Sequence, residues 1–336
     1  MELLRLRTGW HVLAAAVGIG AVVLLVASAG FDEAGAALAV VDPRTLVAAA
    51  MLELVAVVSL VQVYRVTFRV TGGRIGRRDG AVLGLGAVSL TQLIPGGGVA
   101  GGLFAARRFV RAGADPVAAA ATVVLVGAVM LGTLGVLVAG AATVGAVTAP
   151  GYALHAVAAA AVVVLMVAAI AVLRGVLGRD GTRHRVAAWL GRRRRGAPLA
   201  RSLAENLETH RDLLRRPLVL APSTGWAAIK WTADLTVLAV LVHAAGGQVP
   251  LLAIVLAYAV ANLLNGLPLT PGGIGVVELG ATGTLVAFGA EPAVAAVAVL
   301  GYRALAVGLP LLLAVPVVGR EIRRTRRGRI ELEVTA

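Results

Sequence analysis

The sequence predicts an all-α polytopic membrane protein, and three observations support this class. Of the 336 residues, 59% are hydrophobic and 14% are charged, whereas an average soluble domain has about 45–50% apolar and about 25% charged residues. Apolar runs long enough to cross a bilayer recur along the chain. The formal charge of +14 comes from arginine clusters, and basic residues collect on the cytoplasmic side of membrane proteins. These observations argue against a soluble protein and leave no room here for a separate soluble catalytic domain.

Six apolar stretches are predicted to be full spans if every arginine cluster is cytoplasmic. Both termini, a basic loop (174–216) and a basic tail (319–336) then lie inside. The predicted spans are 10–30, 46–64, 116–140, 152–173, 218–245 and 292–318. Because the first span follows Arg5 and Arg7 and ends near Ala27-Ser28-Ala29, it also resembles a signal peptide, and its cleavage stays open.

Two further apolar stretches, 81–106 and 251–290, are predicted to begin and end on the same side of the membrane. Each is interrupted by the string Pro-Gly-Gly, and proline and clustered glycine break helices. We therefore predict two helical hairpins that enter from opposite faces and are broken at membrane depth. Their centres are Pro95-Gly96-Gly97-Gly98 and Pro271-Gly272-Gly273, the latter followed by Gly275. In an alternative, every arm crosses the membrane fully, which gives ten short spans. This alternative leaves the ends of each stretch on the same sides of the membrane, so it stays open.

Each hairpin is flanked by one span on either side. This arrangement predicts an inverted repeat, with elements at about 46–140 and 218–318, inside a single transmembrane domain covering 1–336. Helices interrupted by glycine and proline at corresponding positions of such repeats are typical of transporters, which bind substrate near the bilayer midplane. The N–H groups that open each second arm, near Gly98 and Gly273, would suit an anionic headgroup.

Ionisable residues inside the predicted spans and hairpins are candidates for function, because each costs about 2.5–3.5 kcal/mol on insertion scales. Glu278 lies about two turns beyond Pro271, and Arg303 lies near the middle of the last span. We expect these two residues to pair. The pair either forms part of a substrate site or only holds the second hairpin against the last span.

Four other charged residues are secondary candidates. Lys230 and Asp234 have the i, i+4 spacing at which two side chains of one helix neutralise each other. Arg107 and Arg108 follow the first hairpin. Glu53 is predicted near the outer end of its span, and the sequence assigns it no role.

Motifs for metals, cofactors and covalent catalysis are not found in the sequence. Cysteine is missing, and no HExxH or comparable ligand spacing occurs. The glycines at 96–98, 101 and 102 are followed by Leu103-Phe104 rather than ending in the Gly-Lys-Ser/Thr of a phosphate-binding loop. Gly97 and Gly101 form a GxxxG pattern, which usually indicates close helix packing. We expect no metal, no cofactor and no enzymatic activity.

Residues 267–278, LPLTPGGIGVVE, resemble the signature of the lysylphosphatidylglycerol synthase transmembrane (flippase-domain) family, also called UPF0104. Two further segments resemble that family, namely Tyr302-Arg303 in the last span and Pro95-Gly96-Gly97 in the first hairpin. The resemblance covers roughly 10–320. Residues 123–129 depart from it, because they are entirely apolar where we expect charged side chains. We see no stretch resembling an aminoacyl-transferase domain and expect a stand-alone membrane domain.

The resemblance implies a membrane domain that moves lipid headgroups between leaflets. We expect a lipid translocator of the bacterial cytoplasmic membrane, acting on an anionic or zwitterionic phospholipid or a lipid-linked intermediate. Membrane lipids are the expected partners, nucleic acid is not, and a separate lipid-modifying enzyme or a second copy of the chain stays open. The alternatives are an ion or small-solute secondary transporter and a non-transporting scaffold for a lipid-modifying enzyme.

Overall fold

A computed structural model describes residues 41–93, 97–148, 217–267 and 270–334. Every regular element in these ranges is helical, as predicted. The described ranges contain eight α-helices, namely α1 Pro43–Val70, α2 Arg77–Leu93, α3 Gly97–Arg111, α4 Pro116–Thr148, α5 Ala221–Ala244, α6 Leu251–Gly266, α7 Val276–Ala287 and α8 Pro292–Val334. Two short 3-10 turns, Pro217–Leu220 and Pro271–Gly273, precede α5 and α7. The predicted spans 10–30 and 152–173, the basic loop, Pro95 and Gly96 lie outside the described residues.

Among the described residues, four helices are long and apolar enough to cross a membrane: α1, α4, the segment Leu218–Ala244, and the Pro292–Pro316 part of α8. They correspond to four of the six predicted spans. Three of them run beyond the predicted ends. α1 covers Pro43–Val70 where 46–64 was predicted. α4 continues to Thr148, and α8 continues to Val334 through most of the segment predicted as a tail.

The helices on either side of the two Pro-Gly-Gly breaks are short. α2 has 17 residues, α3 has 15, α6 has 16 and α7 has 12. At 1.5 Å per residue they extend about 18–25 Å, which is less than the roughly 30 Å of a bilayer's hydrocarbon core. The breaks therefore divide each stretch into arms that are shorter than the hydrocarbon core, so an arm could cross it only if the bilayer became thinner locally.

Local sequence signals explain where two of the long helices begin. Asp42 precedes α1, and its carboxylate accepts the N–H of Arg44 at 3.0 Å. Asp115 precedes α4 and accepts the N–H of Val117 at 2.8 Å. Each helix then starts with proline, which has no N–H to satisfy at that position.

Small residues allow the two arms of each hairpin to pack closely. Gly101 of α3 faces α2 so closely that a Cβ atom would lie 2.5 Å from the carbonyl oxygen of Ala87. Gly280 of α7 faces Leu264 of α6, where a Cβ atom would lie 2.2 Å from the leucine Cδ1. The GxxxG pattern that includes Gly101 thus serves helix packing, as expected. Around the second hairpin, apolar side chains of α5, α6, α7 and α8 form the main hydrophobic core.

Candidate functional site

The second break is a tight loop built on glycine. Gly272, Gly273 and Gly275 have φ angles of 59°, 69° and 85°, in the left-handed region that other residues rarely adopt. The buried hydroxyl of Thr270 donates to the carbonyl of Ile274 at 2.9 Å and closes the loop. The predicted interruption is therefore present, and its glycines permit the chain to reverse into α7.

The two broken segments contact each other. A Cβ atom on Gly272 would lie 2.4 Å from the carbonyl oxygen of Gln92, in the last turn of α2. Gly97 begins α3, and Gly98 is exposed with open space around it. The end of the first arm of one hairpin thus lies against the break of the other hairpin. Sequence analysis predicted each break separately and could not show this contact.

Glu278 and Arg303 form the predicted ion pair, which is buried. Arg303 Nε lies 2.9 Å from Glu278 Oε1, and the two residues are only 8% and 4% exposed. The other carboxylate oxygen of Glu278 accepts the N–H of Gly275 at 2.6 Å, which caps the start of α7. Arg303 also donates to the carbonyl of Gly272. The pair therefore fixes the broken loop to α8.

We expect Gly272→Ala to destabilise the protein more than Gly246→Ala. Both glycines have positive φ angles, so each substitution carries strain of about 1–2 kcal/mol. A Cβ atom at Gly246 meets nothing within 4 Å, whereas at Gly272 it meets the backbone of Gln92. Thermal unfolding in detergent should show the larger loss for Gly272→Ala. Equal losses of stability would contradict the close contact between Gly272 and the backbone of Gln92.

A second buried polar cluster lies on α5 and α6. Lys230 Nζ is 2.6 Å from Asp234 Oδ2, which confirms the expected i, i+4 pair. The pair is not only local, because the hydroxyl of Tyr258 on α6 donates to the same carboxylate oxygen at 2.6 Å. The ammonium group also lies 3.7 Å from the ring centre of Trp231. The indole N–H of Trp231 donates to the carbonyl of Met130 at 2.9 Å, which ties the cluster to α4.

Glu53, to which the sequence assigned no role, belongs to this cluster. It is 4% exposed, and its carboxyl group lies beside that of Asp234. The signal that sequence analysis undervalued is a lone acid in an otherwise apolar run. Helix α1 begins at Pro43, so Glu53 lies about 15 Å along the helix at 1.5 Å per residue, roughly half of a bilayer's hydrocarbon thickness.

A cavity of about 230 Å³ extends from the polar cluster to Arg303, which contacts the second break. Its volume is far larger than the ~10–15 Å³ that a single water needs. Four charged and three amide side chains contribute to its lining, namely Glu53, Lys230, Asp234, Arg303, Gln92, Asn262 and Asn265. Glu278 does not line the cavity. Of the predicted ion pair, Arg303 is thus the residue that a ligand could contact, and Glu278 holds it in place.

The remaining secondary candidates lie elsewhere. Arg107 is exposed and Arg108 is buried, both near the end of α3, and neither lines the cavity. A separate surface depression is lined by Arg65, Arg69 and Arg74. In the part of the chain that the structure describes, no three or more His, Asp or Glu side chains are grouped to hold a metal ion.

The helices define a multi-pass α-helical membrane protein, and buried charged residues line a cavity inside it. Residues 11–314 match the family described as the lysylphosphatidylglycerol synthase TM region. The match covers most of the chain, which therefore belongs to this family. A search among curated proteins finds no significant match.

Proposed function

We propose that the protein is a lipid translocator that moves a phospholipid or lipid-linked headgroup between the two leaflets of the bacterial cytoplasmic membrane. The observation that carries this proposal is the cavity with charged lining residues beside the contact between the second break and the end of α2. Burying so many charged groups in a membrane protein is costly, and such groups commonly line the pathway of a polar substrate. A passage for a polar headgroup would therefore explain why they are present. Membership of a family named after a lipid synthase supports a lipid substrate.

In this proposal the short arms are re-entrant hairpins of an inverted repeat. Their lengths, and the contact of Gly272 with the end of α2, support this arrangement. Irregular backbone at membrane depth is tolerated only where protein or a water-filled cavity satisfies it, and the second break lies close to such a cavity. The arginine-rich loop and tail would face the cytoplasm together with both termini.

The cavity suits a headgroup rather than a whole lipid. It is smaller than the ~300–1,000 Å³ of sites that enclose drug-sized ligands. We propose that the acyl chains stay in the bilayer while the headgroup enters the cavity, where Arg303 contacts its phosphate. No covalent step is part of this mechanism, so the protein acts as a transporter rather than as an enzyme. A separate enzyme that modifies the lipid would act before or after it.

The test is a leaflet-translocation assay in liposomes that contain the purified protein and fluorescent phospholipids with several headgroups. Leu60 lines the cavity, and we expect Leu60→Trp to stop lipid movement by filling it. Val58 lies on the same helix but is exposed, so Val58→Trp is the matched control and should leave movement unchanged. Thermal unfolding of each variant shows whether it folds, because overpacking costs about 1–3 kcal/mol.

A failure of all headgroups to move with the wild-type protein, with or without an ion gradient, would contradict the proposal. A secondary transporter of ions or small solutes is the second candidate, because it too requires a polar cavity at this depth. It predicts uptake of a solute that Leu60→Trp blocks, with no movement of lipid.

A further inference from the structure

We propose that Glu53 and Asp234 form a proton-binding site that holds one exchangeable proton between two carboxyl groups, and that lipid movement is coupled to proton movement through this site. The coupling rests on the proposed function, whereas the proton site does not. Two observations carry the site: an excess of one acid in the buried cluster, and two carboxylate oxygens that lack partners.

The charges around the cavity do not balance if every group is ionised. Glu53, Asp234 and Glu278 are buried acids, and Lys230 and Arg303 are the bases paired with them. Arg303 pairs with Glu278 and Lys230 pairs with Asp234, which leaves Glu53 without a base of its own within the described ranges. A buried, unpaired carboxylate is so costly that such a group normally becomes neutral. One additional proton makes the set neutral.

The pattern of hydrogen bonds also indicates that the additional proton lies between Glu53 and Asp234. Oε2 of Glu53 and Oδ1 of Asp234 are buried and accept no hydrogen bond from any group in the described residues. The two carboxyl groups lie side by side. A proton on one of them would convert an acceptor into a donor and offer the other carboxylate a partner. Like-charged carboxyl groups in contact commonly share one proton in this way.

The site can exchange its proton because both carboxyl groups line the cavity. The titratable groups that face the pair from the packed helices are Tyr64, Lys230, Tyr258, Tyr302 and Arg303. On release, the O–H bond of the carboxylic acid breaks and the proton passes to water in the cavity. Both carboxyl groups are then ionised, with Lys230 as their nearest cation.

A chain of contacts connects this site to the second break. Tyr258 donates to Asp234 and packs edge-on against Tyr302, with 6.1 Å between the ring centres. Tyr302 precedes Arg303, which holds both Glu278 and the carbonyl of Gly272. A second negative charge in the cavity would attract Arg303 away from the loop. Release of the proton would thus loosen the second break, and its uptake would hold the break closed.

The first test is infrared difference spectroscopy of the purified protein, which detects the carbonyl stretch of a protonated carboxylic acid. We expect this band at neutral pH in the wild type and its loss in Glu53→Gln, with a shift in Asp234→Asn. The matched control is Glu291→Gln, at an exposed acid near the start of α8, which should keep the band. A wild-type spectrum without the band, or a band that persists in both cluster variants, would overturn the proton site.

The second test imposes a pH gradient on the translocation assay. One proton per lipid predicts up to about a tenfold bias of the lipid distribution for each pH unit. We expect Glu53→Gln, which mimics the permanently protonated acid, to lose this bias. Lipid movement that ignores the gradient would overturn the coupling while leaving the proposed function intact. The infrared band without any lipid movement would support the proton site and contradict the proposed function.

Discussion

Replacing Arg303 by alanine is expected to destabilise the protein by about 3–5 kcal/mol, the usual cost of removing one partner from a buried ion pair. The substitution leaves Glu278 as an unpaired buried carboxylate and removes the donor to the Gly272 carbonyl. The loop of the second break then loses its attachment to α8. Thermal or denaturant unfolding in detergent measures the loss. Arg44→Ala, at an exposed arginine, is the control and should change stability by less than about 0.5 kcal/mol.

A double-mutant cycle separates the ion pair from its surroundings. Glu278→Gln leaves Arg303 unpaired and weakens the cap on α7, so it is also expected to destabilise the protein. Combining Glu278→Gln with Arg303→Met removes both charges, and the combined loss should be smaller than the sum of the single losses. Additive losses would mean that the two side chains do not interact in the folded protein.

The same double variant distinguishes transport from scaffolding. If the protein moves lipid headgroups past Arg303, the double variant should fold and yet lose translocation. A scaffold for a lipid-modifying enzyme predicts that both residues can be replaced together without loss of cellular function. Full function of the double variant would therefore count against the proposed contact between Arg303 and the phosphate.

Replacing Asp234 by alanine is expected to cost up to about the same 3–5 kcal/mol, because Lys230 loses the carboxylate that it contacts and keeps the hydroxyl of Tyr258, the ring of Trp231 and the more distant carboxyl group of Glu53 as neighbours. Tyr258→Phe is a milder substitution in the same cluster, and its loss of stability is compared with that of Asp234→Ala. The milder substitution removes one hydrogen bond to a charged group, worth about 1.5–3 kcal/mol, but keeps the ring contacts with Trp231 and Tyr302. A loss for Tyr258→Phe as large as that for Asp234→Ala would contradict the assignment of Lys230 and Asp234 as the main interaction of the cluster.

The double variant Asp234→Asn with Lys230→Met extends this prediction. It removes the charged pair and leaves Glu53 as the remaining acid of the cluster, so it should be more stable than Asp234→Ala. Unfolding measurements on all three variants check the order. If the double variant is the least stable, the cluster depends on charge in a way that the pairing of Lys230 with Asp234 does not explain.

The sequence alone determined those features that depend on residues close together in the chain. Long apolar runs predicted the helices, Pro-Gly-Gly predicted the second interruption, and the i, i+4 spacing predicted the pair of Lys230 and Asp234. The pair of Glu278 and Arg303 was also predicted, because two costly charges in one membrane region have few other partners. The family followed from residues 267–278 and is confirmed by the match over residues 11–314.

Only the tertiary structure decided which distant groups meet. Glu53 joins Asp234 across the contact of α1 with α5, and Gly272 meets Gln92 across two separate hairpins. The structure also showed that the two residues of the ion pair have different surroundings, since Arg303 lines the cavity and Glu278 caps α7. Hydropathy and helix-breaking residues act within a few turns of the chain, so they fix where helices begin and end. Contacts between helices depend instead on how small residues and side-chain shapes let the helices approach, and that information is distributed over the whole chain.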